Sequence, residues 1–292
     1  MKCNICPRKC NVNRTKNVGF CSAKDKMVVS KIMLHHWEEP IISGNETDTG
    51  SGAIFFAGCN LKCLYCQNYN ISNSCIGREI STLDLVDIFK DFESKDALNI
   101  NLVTPTHFTE QIIEALKTYK PHIPIVWNSS GFENASEIAK LKDLVDIYLV
   151  DLKYMDKELA KELSFASNYP DVATKCILEM KKNQPKDIIE NGIMKKGVIV
   201  RHLVLPNCVE NSFQCFDWIK CNLGENQLIS VMSQYVPCYK AKDNNKVYRK
   251  LHKIEYKRVL AHIKKLGLNN GFFQEMESAD KCYTPDFSKY ED

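Results

Sequence analysis

GSGAIFFAGCNLKCLYCQN (residues 50–68) joins two signals, the apolar run Ala53-Ile-Phe-Phe-Ala57 and, directly behind it, three cysteines, Cys59, Cys63 and Cys66. A run this short, bounded by glycines and rich in aromatic and branched side chains, reads as a strand buried on both faces. Similar runs recur at 98–103, 123–127, 147–150, 198–204 and 228–232. Amphipathic segments at 82–94, 108–119, 134–143, 156–165, 210–221 and 246–266 lie between them and after the last. Several of these open on capping residues, as in Ser81 to Asp84 and Thr106 to Glu110. Strand and helix alternating in this way predict an α/β fold with a parallel sheet, curled or open.

Parallel sheets carry their chemistry at the carboxyl ends of the strands, where the loops converge. Read in order, those ends are Cys59/Cys63/Cys66, Thr104-Pro105-Thr106-His107, Asn128-Ser129-Ser130-Gly131, Asp151-Leu152-Lys153, Arg201-His202 and Ser233-Gln234-Tyr235. An ionisable, amide or thiol group stands wherever an apolar run stops. That regularity points to a site more than to a set of solvated loops.

Composition narrows the chemistry. The 292 residues suit one main domain with small appendages, and Lys+Arg 39 against Asp+Glu 36 leaves a formal charge of +3, too small to argue for nucleic acid. No apolar run approaches the ~18 residues of a membrane span, and MKCNICPRKC at the start lacks the apolar stretch of a signal peptide. The expectation is a cytoplasmic protein without membrane or nucleic-acid partners. In reducing cytosol, 14 cysteines are free thiols or metal ligands rather than disulfides. Cys75, Cys176, Cys208, Cys215, Cys221, Cys238 and Cys282 are scattered and read as small buried hydrophobes.

Three clustered thiols without a fourth would leave a structural zinc site open. A four-iron cluster also normally takes four cysteines, so three leave one iron free for a non-protein ligand. The expected chemistry is therefore a small molecule chelating the exposed iron and accepting an electron there. Cys59-Asn-Leu-Lys-Cys63-Leu-Tyr65-Cys66 resembles the signature of radical S-adenosylmethionine (SAM) enzymes. The likeness implies a partial (β/α)6 barrel. It also implies a 4Fe–4S cluster on Cys59, Cys63 and Cys66, and reductive cleavage of SAM to a 5'-deoxyadenosyl radical that abstracts hydrogen.

Within that superfamily the chain is similar to the pyruvate formate-lyase activating enzyme group, through CNICPRKC, HHWEEPIISG, NLVTPTHF, WNSSGFE, DIYLVDLKYMD, VRHLVLPN and SQYVPCYKA. The resemblance places Tyr65 and Asn68 near the adenine or the cluster, Asp151 and Lys153 at the methionine and ribose end, and Arg201 on the carboxylate. Asn128 and Ser129, with Asp151, stand where activating enzymes hold a monovalent cation; Gln234 ends the last strand of the same mouth. Where the family carries Gly-Gly-Glu for the methionine amino group, this chain has Val103-Thr104-Pro105-Thr106-His107, so Thr104 and Thr106 are expected to accept from the ammonium.

The expected division is 1–45, a cysteine-rich metal-binding lobe with a connector, and 46–292, the barrel with its C-terminal helix and tail. Cys3, Cys6, Cys10 and Cys21 could close around a second metal, either zinc, an iron or an auxiliary iron–sulfur cluster. His35-His36 reads either as a surface or cap pair or as a contact to the catalytic loop. The resemblance implies a one-electron donor such as flavodoxin or ferredoxin, and a glycyl-radical enzyme as the partner activated. The alternatives are radical modification of another peptide or of a small metabolite, and a metal-binding scaffold without activity.

Overall fold

A computed structural model describes residues 2–45 and 47–276; Cys282 lies outside them. The strands are β1 (Met27–His35), β2 (Ser51–Phe56), β3 (Arg78–Ile80), β4 (Ile100–Val103), β5 (Ile125–Ser129), β6 (Ile147–Asp151), β7 (Ile188–Glu190), β8 (Ile193–Leu203), β9 (Ile229–Met232) and β10 (Gly271–Phe273). The helices are α1 (Pro40–Ser43), α2 (Tyr69–Ser74), α3 (Thr82–Ser94), α4 (Thr109–Thr118), α5 (Ala135–Ala139), α6 (Lys157–Ser164), α7 (Tyr169–Asn183), α8 (Val209–Leu223) and α9 (Lys253–Leu266).

The sheet runs β10-β9-β8-β6-β5-β4-β2-β1-β3. From β2 to β10 all neighbours along this path are parallel, whereas β1 is antiparallel to β2, and β3 to β1. Among the described residues β3 and β10 end the path without pairing, and the sheet curls into a partial barrel that does not close.

Strand alternation sorts the core into two layers. One face of each strand, carrying Ile100 and Leu102, Trp127, Tyr148 and Val150, and Val198 and Val200, packs on the helices. The opposite face, with Val126, Ile147, Leu149 and Ile199, surrounds Ile42 of α1. Residues 36–44 therefore fill the inside of the curl, and β1 (Met27–His35) pairs into the main sheet.

All six apolar runs expected as strands are strands, with ends shifted by a few residues. Other elements differ from expectation. The segment 246–266 is helical only from Lys253, where Glu255 caps the backbone N–H of His252 at 2.9 Å. Helix α7 lies outside the expected helical segments; it carries Pro170 in its first turn, where proline is compatible with a helix. The β7–β8 hairpin turns on Asn191-Gly192, both at positive φ (52° and 80°), the dipeptide most suited to such a turn.

Gly52 on β2 marks a close contact between sheet and helix. A Cβ there would stand 2.6 Å from Cγ of the buried Phe92 on α3. Gly52→Ala should therefore destabilise the chain by ~1–3 kcal/mol, the usual range for overpacking, read as a lowered midpoint in urea unfolding. An unchanged midpoint would mean that Phe92 yields freely.

Candidate active site

The alternation that buries Val126, Leu149 and Ile199 inside the curl places Asn128, Asp151 and Arg201 on the same inner face two residues later, at the carboxyl ends of β5, β6 and β8. Asp151 and Arg201 are register partners on adjacent strands. Arg201 Nε donates to Asp151 Oδ1 at 2.9 Å, and Lys153 Nζ to Asp151 Oδ2 at 2.6 Å. Burial alone would raise the Asp151 carboxyl, but the Arg201 guanidinium and the Lys153 ammonium hold it below the usual carboxylate range. Burial would likewise lower Arg201, and Asp151, Glu39 and Glu38 hold it above its ordinary value.

Glu38 enters from the segment between β1 and α1. It accepts from Arg201 Nη1 (3.0 Å), Asn128 Nδ2 (2.9 Å) and Asn101 Nδ2 (3.2 Å), while Arg201 Nη2 donates to Asn128 Oδ1 at 2.6 Å. Arg201, Asn128 and Glu38 thus form a closed ring of hydrogen bonds. Sequence reasoning missed Glu38; the acidic pair in WEEP, just ahead of a helix start, was the available signal.

These groups line a cavity of about 260 Å3 together with Cys63, Tyr65, Cys66, Asn68, Lys153 and Gln234. His35 and Trp37 also line it, so His35 is a buried wall residue rather than a surface one, and burial pushes its imidazole down to about 4.

Thr104, Thr106 and Ser129 are not brought to the cavity. Ser129 follows the inward Asn128 and so faces the helices, where its hydroxyl donates to Glu133 Oε2 at 2.5 Å. Thr106 Oγ1 and Trp127 Nε1 donate to Glu133 Oε1 at 2.8 and 2.9 Å. Thr104 turns the chain after β4 at a φ of 60°, its N–H bonded to Asn128 O at 2.9 Å. The buried Glu133 therefore ties the ends of β4 and β5 together behind the cavity. The expected ammonium seat on the two threonines has no geometric support; the carboxylates that face the cavity are Glu38 and Asp151.

The three cysteines lie on the loop between β2 and α2. Burial pushes the Cys59 thiol up to about 12 and the Cys66 thiol up to about 11, with the neighbouring Cys63 adding to both. Such thiols stay protonated until a metal replaces the proton. A polar group is aimed at each sulfur. Leu61 N–H donates to Cys59 Sγ at 3.4 Å, Ser164 Oγ to Cys63 Sγ at 3.0 Å, and Ser72 Oγ lies 3.5 Å from Cys66 Sγ. Ser164 is held in turn by Tyr154 (2.8 Å), and Tyr154 by Tyr65 (2.6 Å). A donor set of three thiols with hydrogen bonds suited to sulfur acceptors fits an iron–sulfur cluster.

In the N-terminal lobe Cys6 and Cys21 are buried and Cys3 and Cys10 half-buried. Among the described residues, no three His, Cys, Asp or Glu side chains are drawn close enough around one point to hold a single metal ion, in the lobe or on the triad loop. No described helix is long and apolar enough to cross a membrane.

Comparison with known proteins bears on what this constellation does. An uncharacterised protein of Methanocaldococcus jannaschii is 33% identical over 282 residues, covering 91% of this chain and 75% of that protein. The pyruvate formate-lyase-activating enzyme of Clostridium pasteurianum is 27% identical over 169 residues, 54% of this chain and 63% of that enzyme. Among solved structures, methylornithine synthase superposes with a TM-score of 0.51 at 14% identity, over 76% of this chain and 70% of that one, a likeness of fold. Residues 53–200, from β2 and the three cysteines through Asp151 to the strand carrying Arg201, match the profile of the Radical SAM superfamily. The chain therefore belongs to the radical SAM superfamily, whose enzymes work with a 4Fe–4S cluster and S-adenosylmethionine.

Proposed function

We propose that Cys59, Cys63 and Cys66 hold the 4Fe–4S cluster and that the cavity beside them binds SAM for reductive cleavage. The observation that carries this reading is that Cys63 and Cys66 line the same cavity as Asp151, Lys153 and Arg201. A cluster held by Cys59, Cys63 and Cys66 would supply the single electron needed for reductive cleavage of SAM, and the residues around the cavity would hold SAM for that reaction and for hydrogen abstraction from the substrate.

The residues of the chain supply the grip. A zwitterionic amino-acid end needs cations for its carboxylate and acceptors for its ammonium, and Arg201 with Lys153, and Asp151 with Glu38, offer both within one hydrogen-bonded set. Arg201 is prepositioned by bonds from three directions, so little reorganisation accompanies binding. Tyr65, Asn68 and Gln234 border the remaining wall of the cavity.

For the substrate, the reading favoured is a polypeptide, as in activation of a glycyl-radical enzyme, with flavodoxin or ferredoxin as electron donor. Trp37 is 57% exposed on the cavity wall. Tyr69, beside Asn68, stacks on Tyr239 at 5.0 Å with both rings partly exposed. Exposed aromatic rings at a mouth suit an inserted peptide segment.

The test is anaerobic incubation of reduced, cluster-replete enzyme with SAM. 5'-Deoxyadenosine should form above a cluster-free control, and deuterium from a Cα-labelled glycine peptide should appear in it. Absence of 5'-deoxyadenosine across several reductants rejects the reading. Its formation without deuterium transfer from any peptide moves the substrate to small metabolites.

A further inference from the structure

The cysteines of the N-terminal lobe share a backbone pattern that the radical chemistry does not require. Cys6 sulfur accepts from the N–H of Arg8, Cys10 from that of Val12, and Cys21 from that of Ala23, in each case the residue two positions on. The backbone brings Cys3 to the stretch just after Cys10: Cys3 N–H donates to Val12 O at 2.9 Å and Asn11 N–H to Cys3 O at 3.1 Å. A Cβ on Gly19 would stand 3.2 Å from Cys21 Sγ and 3.7 Å from Cys10 Sγ, so glycine is what lets these two thiols share that space. Burial pushes the Cys6 thiol up to about 11 and raises that of Cys21, so, as at Cys59 and Cys66, a metal must replace the proton, and the peptide N–H groups then favour the thiolate that a soft metal binds. Cations stand around the group as well: Arg8 beside Cys6, and Arg14 and Lys62 beside Cys21. They offset the negative charge of a centre with four thiolates.

The same residues grip the triad loop. Cys59 N–H donates to Cys21 O at 3.2 Å. Arg8, next but one to Cys6, packs over Phe20 at 4.0 Å and donates to Asn60 O (2.8 Å), Ser164 O (3.1 Å) and Phe165 O. Lys62, between Cys59 and Cys63, reaches back to Ser22 Oγ at 3.0 Å. Ser164 is also the residue whose hydroxyl meets Cys63 sulfur.

We propose that Cys3, Cys6, Cys10 and Cys21 form a four-thiolate centre for an iron–sulfur cluster, whose ligand sulfurs stand farther apart than those around a single ion. Closing it sets the position of the triad loop through Arg8 and the Cys21 carbonyl. The metal half stands on the lobe alone; the coupling half rests on the triad holding the catalytic cluster.

Zinc, iron and acid-labile sulfide are quantified in the full chain carrying Cys59→Ala, Cys63→Ala and Cys66→Ala, prepared anaerobically. Iron and sulfide in equal amounts are expected; zinc alone, or iron without sulfide, overturns the cluster. A metal-free triple variant overturns the centre. Should that variant not fold, the unsubstituted protein serves: iron and sulfide beyond one four-iron cluster are expected, and four irons alone overturn the proposal. These readouts do not depend on SAM cleavage, so failure of the radical reading and failure of the centre are distinguishable.

Coupling is tested with Arg8→Gln, which leaves all cysteines in place. The lobe should keep its metal, while the catalytic cluster changes its midpoint potential and electron paramagnetic resonance line shape, with partial recovery in Arg8→Lys. Retained lobe metal with an unaltered potential and line shape overturns the coupling.

Discussion

Cys63→Ala should reduce SAM cleavage to the level of a cluster-free control while leaving a folded chain. Cys63 is half-buried on a loop at the cavity wall, so truncating it removes little packing. Its chemical loss is larger. Two thiolates cannot hold a four-iron cluster that already lacks a fourth protein ligand, and Ser164 Oγ, now 3.0 Å from the sulfur, loses its acceptor. Iron and sulfide analysis together with 5'-deoxyadenosine measured by mass decides the matter, and circular dichroism checks the fold. Full iron content or undiminished product in the variant would show that another residue ligates the cluster.

Arg201→Ala should weaken both SAM binding and the fold. The guanidinium is 13% exposed and bonds Asp151, Glu38 and Asn128 at 2.9, 3.0 and 2.6 Å. Removing one partner of a buried ion pair costs about 3–5 kcal/mol. Here Lys153 still neutralises Asp151, and Asn101 and Asn128 still bond Glu38, which puts the expectation at the lower end. A charge-assisted hydrogen bond to a ligand contributes ~1.5–3 kcal/mol, so SAM affinity should fall roughly tenfold to a hundredfold. Calorimetric titration of SAM and a thermal melt read the two effects separately. Arg201→Lys keeps the charge but not the planar fork, so it should recover stability more than affinity. SAM affinity unchanged in Arg201→Ala would remove Arg201 from the carboxylate seat.

The parallel sheet was legible because its cause is local. Six short apolar runs alternating with amphipathic segments permit little besides a parallel sheet, and the groups where those runs stop include Asn128, Asp151 and Arg201, which the structure gathers at one mouth. The elements that escaped are weak in local pattern. β1 reads MVVSKIMLH, mixing both periods, and joins the sheet by antiparallel pairing with β2. Helix α7 carries a proline in its first turn; it brings in Tyr169, whose hydroxyl accepts from Lys153 N–H and donates to the Asp151 carbonyl, steadying the strand end that carries the site.

By itself, the sequence determined the α/β alternation and the crowding of three thiols behind the first parallel strand, because both are set by spacing along the chain. Only the tertiary structure decided which neighbouring polar residues serve the cavity. Alternation turns Asn128 inward and Ser129 outward once the strand's inner face is known, and that face is defined by what fills the barrel, the segment from His36 to Gly44. The same segment delivers Glu38 to Arg201, 163 positions away, and the turn after β5 delivers Glu133 to Thr106 and Ser129. A buried charge is stable only where partners meet it, and partners so distant in sequence are chosen by the fold, not by local pattern.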